Sequence, residues 1–577
     1  MSRLIVEEDE AGVRRFGQAE HRRIGPFHVL RLYGGPYDMA RQHGALLREA
    51  IPRGPLPLFE RYLGLFLRNS PLGPAAGTVE KLLDAWMRPR MLKRMPATMR
   101  AVAAGLADGA GLAEASVLRA YLMPDAVVYA MTLFGKLTRA PFDMPPGSRP
   151  AGPLVGGCPP LGCTSAIAGP ERTERGALLH ARNMDFPGVD RWDREPVVAF
   201  HHPEEGQTYV TFTSAGIAGG AITGMNASGL TFAVHQHFAA EFDLDGEPVG
   251  LAGEQVLREA RTLDQAIGIL DKHRPMAGWT YVLADAQRAI AYEIAPGLRR
   301  IVPMTDGLLG YANVYQHPDL VDAERRVYPA YVQANHARHH RVWAALRAGG
   351  AHHTEATMAA ILADAQVDGV PAPVAVGDAI CTPYTVLSVV MRPSDKRFWI
   401  GEGPVPTAAG TYLGFDLRAE GPAGKPKTVS SGETRETPRV MATLRYAEGW
   451  RAYLEDADLP KARAMLEQAA GLYPADSTLH HAAGLLALKA VDLTAAELHF
   501  RDALAQPHRA ERHARSHAAL AFTLTLAGRR EEAAASIREA RRLAPGDDIV
   551  KKQLSGRFTA GRARRLAVEL LYADVVV

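Results

Sequence analysis

Three stretches near the C-terminal end of the chain share one spacing, and that spacing restricts the fold more than any other feature. They are "AMLEQAAGLYP" from Ala464, "LHFRDALAQP" from Leu498 and "ASIREARRLAP" from Ala535. Each is led by a small residue, Ala462, Ala496 or Ala533, four positions before a bulky one, Leu466, Phe500 or Ile537. Three positions later stand Ala469, Ala503 and Ala540, and a proline ends each stretch. Steps of four and three keep these residues on one face of a helix. A face that mixes small and large side chains lets a neighbouring helix approach closely. The first two units lie 34 residues apart; the third is displaced by three more, which "PHRAERHARS" absorbs as a loop. One unit cannot bury its stripe alone, so the units have to stack.

In period and packing this pattern resembles the tetratricopeptide repeat, which implies an all-α domain over residues 440–577, its last segment a capping helix. Residues 418–439, polar and rich in Gly, Pro, Ser and Thr, read as a linker. Ahead of it, residues 163–417 are strand-rich, interrupted by the helical stretches "AGEQVLREARTLDQAIGIL" and "PAYVQANHARHHRVWAALRAGG". Residues 1–162 read as mostly helical after an opening strand at Phe27–Gly35, with an exposed loop from Pro141 to Gly162. Strands grouped around helices predict an α+β class for this front part, not alternating βαβ units.

Composition narrows the function. With 47% hydrophobic and 22% charged residues and a net charge of +3, nothing points to nucleic acid or an anionic membrane as partner. The opening "MSRLIVEEDEAGVRR" lacks a secretion-signal pattern, and "AVVYAMTLFG" is too short for a membrane span. Three cysteines in 577 residues argue against a disulfide framework and for a reducing, cytoplasmic setting. The histidines of "HQHF" and "HARHH" do not form a zinc helix, paired Cys-x-x-Cys is absent and no phosphate loop occurs, so neither metal nor cofactor is expected.

The chemistry gathers around "PPLGCTSAIA". Cys163 opens a run of strand formers directly after a glycine. A cysteine nucleophile ordinarily needs a separate base, commonly histidine. If the Gly162–Cys163 peptide bond breaks, Cys163 supplies its own, because a free α-amine has a reference pKa of about 7.7–8.0. Gly162, lacking Cβ, leaves the preceding carbonyl open to attack by the adjacent sulfur. The plain alternative is a small core residue.

The company of Cys163 favours the first reading. "GGPYDMARQHGALL", "GCTSAIA", "ARNMDF", "GMNASGLTFAVHQHF", "LLGYANVYQHPDL" and "NHARHHRVWAAL" follow in order. Together they resemble the N-terminal-nucleophile amidohydrolases of the isopenicillin-N acyltransferase family, and more distantly choloylglycine hydrolases, over roughly Phe27 to Leu417. The resemblance implies a four-layer αββα sandwich and self-cleavage between Gly162 and Cys163. It implies that Arg182 favours the thiolate and that Asp185 orients the α-amine or thiol. Asn313 would donate to the oxyanion, with Gln236 standing where the family has a second asparagine. Arg338 would face substrate or brace the site, and Asn335 stands where serine is more common. On a strand, Arg182 and Asp185 point to opposite faces unless the chain bends after Asn183, so a turn or bulge is expected there.

The implied activity is amide hydrolysis or acyl transfer onto an amine through an acyl-thioenzyme, on a small-molecule acyl substrate. Pocket walls are expected from Leu122–Phe142 and the loop around Phe186. Two other readings stay open: a cysteine peptidase with His235 or His237 as base, and a non-catalytic scaffold. In the scaffold the repeats bind a protein partner or a second copy of the chain.

Overall fold

The computed structural model describes residues 6–68, 73–137, 162–219, 222–239, 241–324, 329–422 and 428–576. Most of the loop expected from Pro141 to Gly162, with Cys158 in it, lies outside the described residues. So does the 138–142 end of the expected pocket wall.

Two sheets form the front part. The larger has eleven strands among the described residues, from Glu7–Glu8 at one edge to Leu298–Pro303 at the other. The smaller has seven, in the order Leu308–Ala312, Gly162–Ala168, Leu179–Asp185, Thr385–Arg392, Arg397–Gly401, Thr411–Asp416, Thr428–Ser430. All pairings are antiparallel except one: Phe27–Gly34 runs parallel to Pro196–Pro203, which ties the N-terminal strands into the larger sheet. The sheets pack face to face. Phe398 of the smaller sheet meets Phe212 of the larger at 4.7 Å between ring centroids, and Phe27 meets Phe415 edge-on. Helices lie outside both sheets. Pro329–Ala348 and Glu355–Leu362 cover the smaller through Val342, Leu346, Met358 and Leu362, while Pro36–Leu46 and Leu251–Glu259 lie against the larger.

The segment 418–439 is less free than a linker. Thr428–Ser430 pairs with Thr411–Asp416 as an edge strand, and the first helix of the C-terminal region begins at Pro438. That region is a stack of helix pairs: Pro438–Leu454 with Leu459–Leu472, Ser477–Lys489 with Leu493–Ala505, and Ala510–Leu526 with Arg530–Leu543. Asp458, Asp476 and Asp492 cap helix starts, each accepting a backbone N–H from within the first turn. The repeated residues lie on the second helix of each pair. Leu466 and Phe500 are fully buried, whereas Ile537 is only half-buried. Glycines on the first helices receive them: a Cβ at Gly449 would come within 2.3 Å of Leu466, and one at Gly484 within 2.6 Å of Phe500.

The final segment does not serve as a capping helix. After short helices at Asp548–Gln553 and Ala560–Arg564, the chain turns into a hairpin, Ala567–Glu569 and Asp574–Val576, between the stack and the sheet layers. Its Leu570 carbonyl accepts from Tyr446 and, at 3.1 Å, from Tyr384. Arg512 donates to the Ala573 and Tyr572 carbonyls, and Arg515 pairs with Asp574 at 2.5 Å and Asp547 at 2.8 Å. Arg515 also reaches Gln333 on the Pro329–Ala348 helix at 3.1 Å. The reason is charge. Two buried guanidiniums on one helix need acceptors, and a capping helix with its carbonyls bonded internally offers few. One continuous apolar core runs from the N-terminal helices through the sheets into the stack, so the parts are not independent bodies.

Ending the chain after Arg565 removes Asp574 and the three carbonyls. Leaving a buried charge short of partners typically costs about 3–5 kcal/mol. Thermal unfolding followed by circular dichroism is expected to shift down by several degrees; an unchanged transition would show that the hairpin carries no stability.

Candidate active site

Gly162–Ala168 is the second strand of the smaller sheet, between Leu308–Ala312 and Leu179–Asp185. Alternation sends Cys163, Ser165 and Ile167 toward the larger sheet and Thr164, Ala166 and Ala168 toward the outer helices. Cys163 is therefore addressed from two sides.

On the inner side, Arg182 Nη2 donates to Cys163 Sγ at 3.2 Å and to the Val234 carbonyl at 2.8 Å, while its Nη1 donates to Thr223 Oγ1. Burial pushes the Cys163 thiol up, and Arg182 is the strongest influence against that shift. On the outer side, the Cys163 N–H donates to Asn313 Oδ1 at 2.6 Å, and Arg338 Nη1 donates to the Cys163 carbonyl at 2.9 Å. Arg338 Nη2 donates to Asn313 Oδ1 at 3.2 Å and to Asn335 Oδ1 at 2.5 Å. Asp185 Oδ2 lies 3.6 Å from Arg338, and Asp185 Oδ1 accepts from Thr385 at 2.6 Å. Burial raises the Asp185 carboxyl, with Arg338 as the main opposing influence.

Arg182 and Asp185 do occupy opposite faces, but the strand that carries both is regular. It pairs residue for residue with Gly162–Ala168, so the expected turn or bulge after Asn183 is not there. The irregularity sits in the next strand, between Thr385 and Leu387. No bend is needed because the two residues serve different sides of Cys163. Gly162 has a steric reason of its own: a Cβ there would lie 3.1 Å from both Arg338 Nη2 and Asp185 Oδ2.

Asn313 and Gln236 differ from their expected geometry. Asn313 Oδ1 faces two donors, so its Nδ2 is turned away and donates to the Gln236 carbonyl at 2.8 Å. The Gln236 side chain is buried at 4% exposure with neither amide atom hydrogen-bonded. It lines a cavity of about 90 Å³ together with Cys163, Arg182 and Trp279, whose indole N–H is also unpaired. The remaining walls are mostly apolar, including Phe59, Tyr121, Met184, Phe186 and Ile217. From the expected wall, Pro124 and Phe186 take part; most of the lining comes from elsewhere.

The histidines are occupied. His235 Nε2 pairs with Ser165 at 2.9 Å, and burial holds its pKa well below the usual range. His237 Nε2 pairs with Thr280 at 3.0 Å. Among the described residues neither is bonded to Cys163. One group in the described residues has metal-ligand proximity, His480, His499 and Asp502, and it belongs to the helical stack. Asn335, Thr385 and Trp279 take part in the site without having been assigned roles from sequence. Asn335 was accessible, three residues before Arg338 on the same helix face; Thr385 and Trp279 carry no local signal.

A family model described as acyl-coenzyme A:6-aminopenicillanic acid acyl-transferase matches residues 172–401. The matched span holds Arg182, Asp185, Gln236, Asn313 and Arg338 and begins after Cys163. It supports an enzyme of the class that acts on amide or acyl bonds. Among solved structures, penicillin V acylase from Agrobacterium tumefaciens is similar at 13% identity and a TM-score of 0.27, over 42% of this chain and 84% of that one. No protein of curated function matches. No helix among the described residues is long and apolar enough to cross a membrane.

Near the cavity, Asp125 is fully buried with Oδ1 unpaired, and burial pushes its pKa up to about 7. The folded state thus prefers the protonated acid, whereas the unfolded chain ionises near the ordinary 3.8. Stability is expected to fall as pH rises from about 4 to about 7 and to level off above. In Asp125→Asn, which cannot ionise, this part of the fall should vanish in denaturant titrations at pH 5 and pH 8. An unchanged pH difference would contradict it.

Proposed function

We propose that the chain is an autoproteolytically activated cysteine amidohydrolase or acyltransferase of the N-terminal-nucleophile kind, with Cys163 as its nucleophile. The observation that carries this reading is that the sulfur, the N–H and the carbonyl of one residue are each held by a different buried polar side chain. A core cysteine needs none of these.

In activation, the Cys163 sulfur attacks the Gly162 carbonyl carbon. The Gly162–Cys163 C–N bond breaks, a proton passes to the departing nitrogen, and water hydrolyses the resulting thioester. The two pieces, 1–162 and 163–577, stay together through their shared core. In turnover the freed α-amine takes the thiol proton while sulfur attacks the substrate carbonyl. The leaving amine receives that proton, and an acyl-thioenzyme remains for water or an amine to take. Arg182 stabilises the thiolate; Arg338, Asp185 and Asn313 hold the new N-terminus. Gln236 Nε2, unpaired in the cavity that Cys163 also lines, is the side-chain donor we assign to the oxyanion, a role in which Asn313 would first have to release the Gln236 carbonyl. The apolar walls suit an apolar or aromatic acyl group.

Transfer to an amine is the second reading, favoured by the description of the matched family. We read the helical stack as tetratricopeptide repeats that brace the catalytic layers, and the setting as cytoplasmic. That Ser477 to Leu488 of the central helix pair are all buried supports bracing over recruitment of a protein partner.

Intact-mass analysis with N-terminal sequencing is expected to find Cys163 as a new first residue, and Cys163→Ala to leave the chain uncut and inactive. An active chain still joined at Gly162–Cys163 would overturn the reading. Gln236→Leu should be processed yet lose about 10²–10³ in kcat with little change in KM; an unaffected kcat would remove Gln236 from the oxyanion site.

A further inference from the structure

A second cavity, larger than the one at Cys163, opens in the helical stack with a volume of about 700 Å³. Its floor is apolar, built from Leu485, Leu488, Ala519 and Phe522 with Val575 of the C-terminal hairpin. Its rim is cationic: Lys489, Lys552, Arg557, Arg562 and Arg565 line it, and no aspartate or glutamate does among the described residues. Among the described residues none of these five is ion-paired, in contrast to Arg512 and Arg515, which the hairpin's Asp574 neutralises a short way off.

Among the described residues the arrangement is short of negative charge. Lys489 Nζ donates to the Arg564 and Leu566 carbonyls, and Arg562 to the Ser555, Lys552 and Gln553 carbonyls, so both are fixed by neutral acceptors. Arg562 also lies over the stacked rings of Phe522 and Phe558. Burial lowers the pKa of Lys489, Lys552 and Arg562, and no carboxylate acts against that shift. Cations held together without counter-charge are costly unless an anion joins them. A further polar group is waiting: Gln553 lines the cavity at 6% exposure with both amide atoms unpaired. A free inorganic anion would satisfy the rim and leave the floor wet; a neutral lipid would do the reverse.

We propose that this cavity is a binding site for a small anionic amphiphile, its phosphate or carboxylate head held by Arg557, Arg565, Lys552 and Gln553 and its apolar body laid on Leu488 and Phe522. The site is separate from the Cys163 cavity. Because one wall is the C-terminal hairpin, whose Leu570 carbonyl accepts from Tyr384, occupancy also reinforces the segment next to Thr385.

Isothermal titration calorimetry on the full chain tests this with decyl phosphate, decanoate, decyl maltoside and inorganic phosphate, each below its aggregation threshold. One equivalent of decyl phosphate or decanoate is expected to bind at least about tenfold more tightly than the neutral detergent or free phosphate. Whichever of the two binds more tightly identifies the head group. The double variant Arg557→Gln/Arg565→Gln, at exposed rim positions, should weaken binding by about tenfold or more while its circular dichroism and melting stay unchanged. Gln553→Leu gives a second, uncharged probe and should weaken the head contact. Equal affinity for charged and neutral amphiphiles, binding that survives the double variant, or no binding at all would each overturn the proposal.

Discussion

The buried guanidinium of Arg338 is the constraint on which the candidate site depends. At 4% exposure it donates to the Cys163 carbonyl, the Thr164 hydroxyl and the side chains of Asn313 and Asn335, and it lies 3.6 Å from Asp185. A cation removed from water is tolerated only when its donors are met, and here the partners come from four separated parts of the chain. Those partners fix the relative placement of the strand that starts at Gly162, the strand that ends at Asp185, the turn after Ala312 and the helix above them. The same charge gives a reason for the glycine before the cysteine, since a Cβ there would press at 3.1 Å on both the guanidinium and Asp185, which would have to give way.

Much of this architecture was visible in the sequence because it rests on periodicity. The spacing of Ala462, Leu466 and Ala469 fixes a helix face, and the glycines opposite Leu466 and Phe500 are the physical counterpart of that spacing. Arg338 is more instructive. On charge alone it reads equally well as part of a solvated basic face. Yet Asn335, Arg338, Val342 and Leu346 lie at steps of three, four and four, and the structure buries all of them. The stripe was there, with polar residues at one end. The hairpin could not be read this way: "AVELLYADVVV" resembles a helix end in composition, and what turns it into strands is the demand of Arg512 and Arg515 some sixty residues earlier. Thr385 and Trp279 were equally hidden, because their roles come from long-range pairing.

The helical stack is bound into the enzyme more closely than a recruiting module would be. Its inner helices are covered by the sheet layers and the C-terminal hairpin, and Arg515 spans from Asp547 and Asp574 to Gln333, two residues before Asn335. The stack and the helix that carries Arg338 are therefore joined by direct contact.

The two-sided handling of Cys163 has a chemical consequence for the proposed reaction. The inner side, where Arg182 meets sulfur, does not include the bond that is cut, so that contact is in place before activation. The outer side changes: the nitrogen that donated to Asn313 becomes an amine beside Arg338. A neighbouring guanidinium disfavours a second positive charge and holds the amine pKa down, while Asp185 acts in the other direction. An amine close to its reference value of about 7.7–8.0 exists partly as the free base near neutrality. One carboxylate and one guanidinium at the same nitrogen thus keep it basic enough to accept the thiol proton and weak enough to return that proton to a leaving amine.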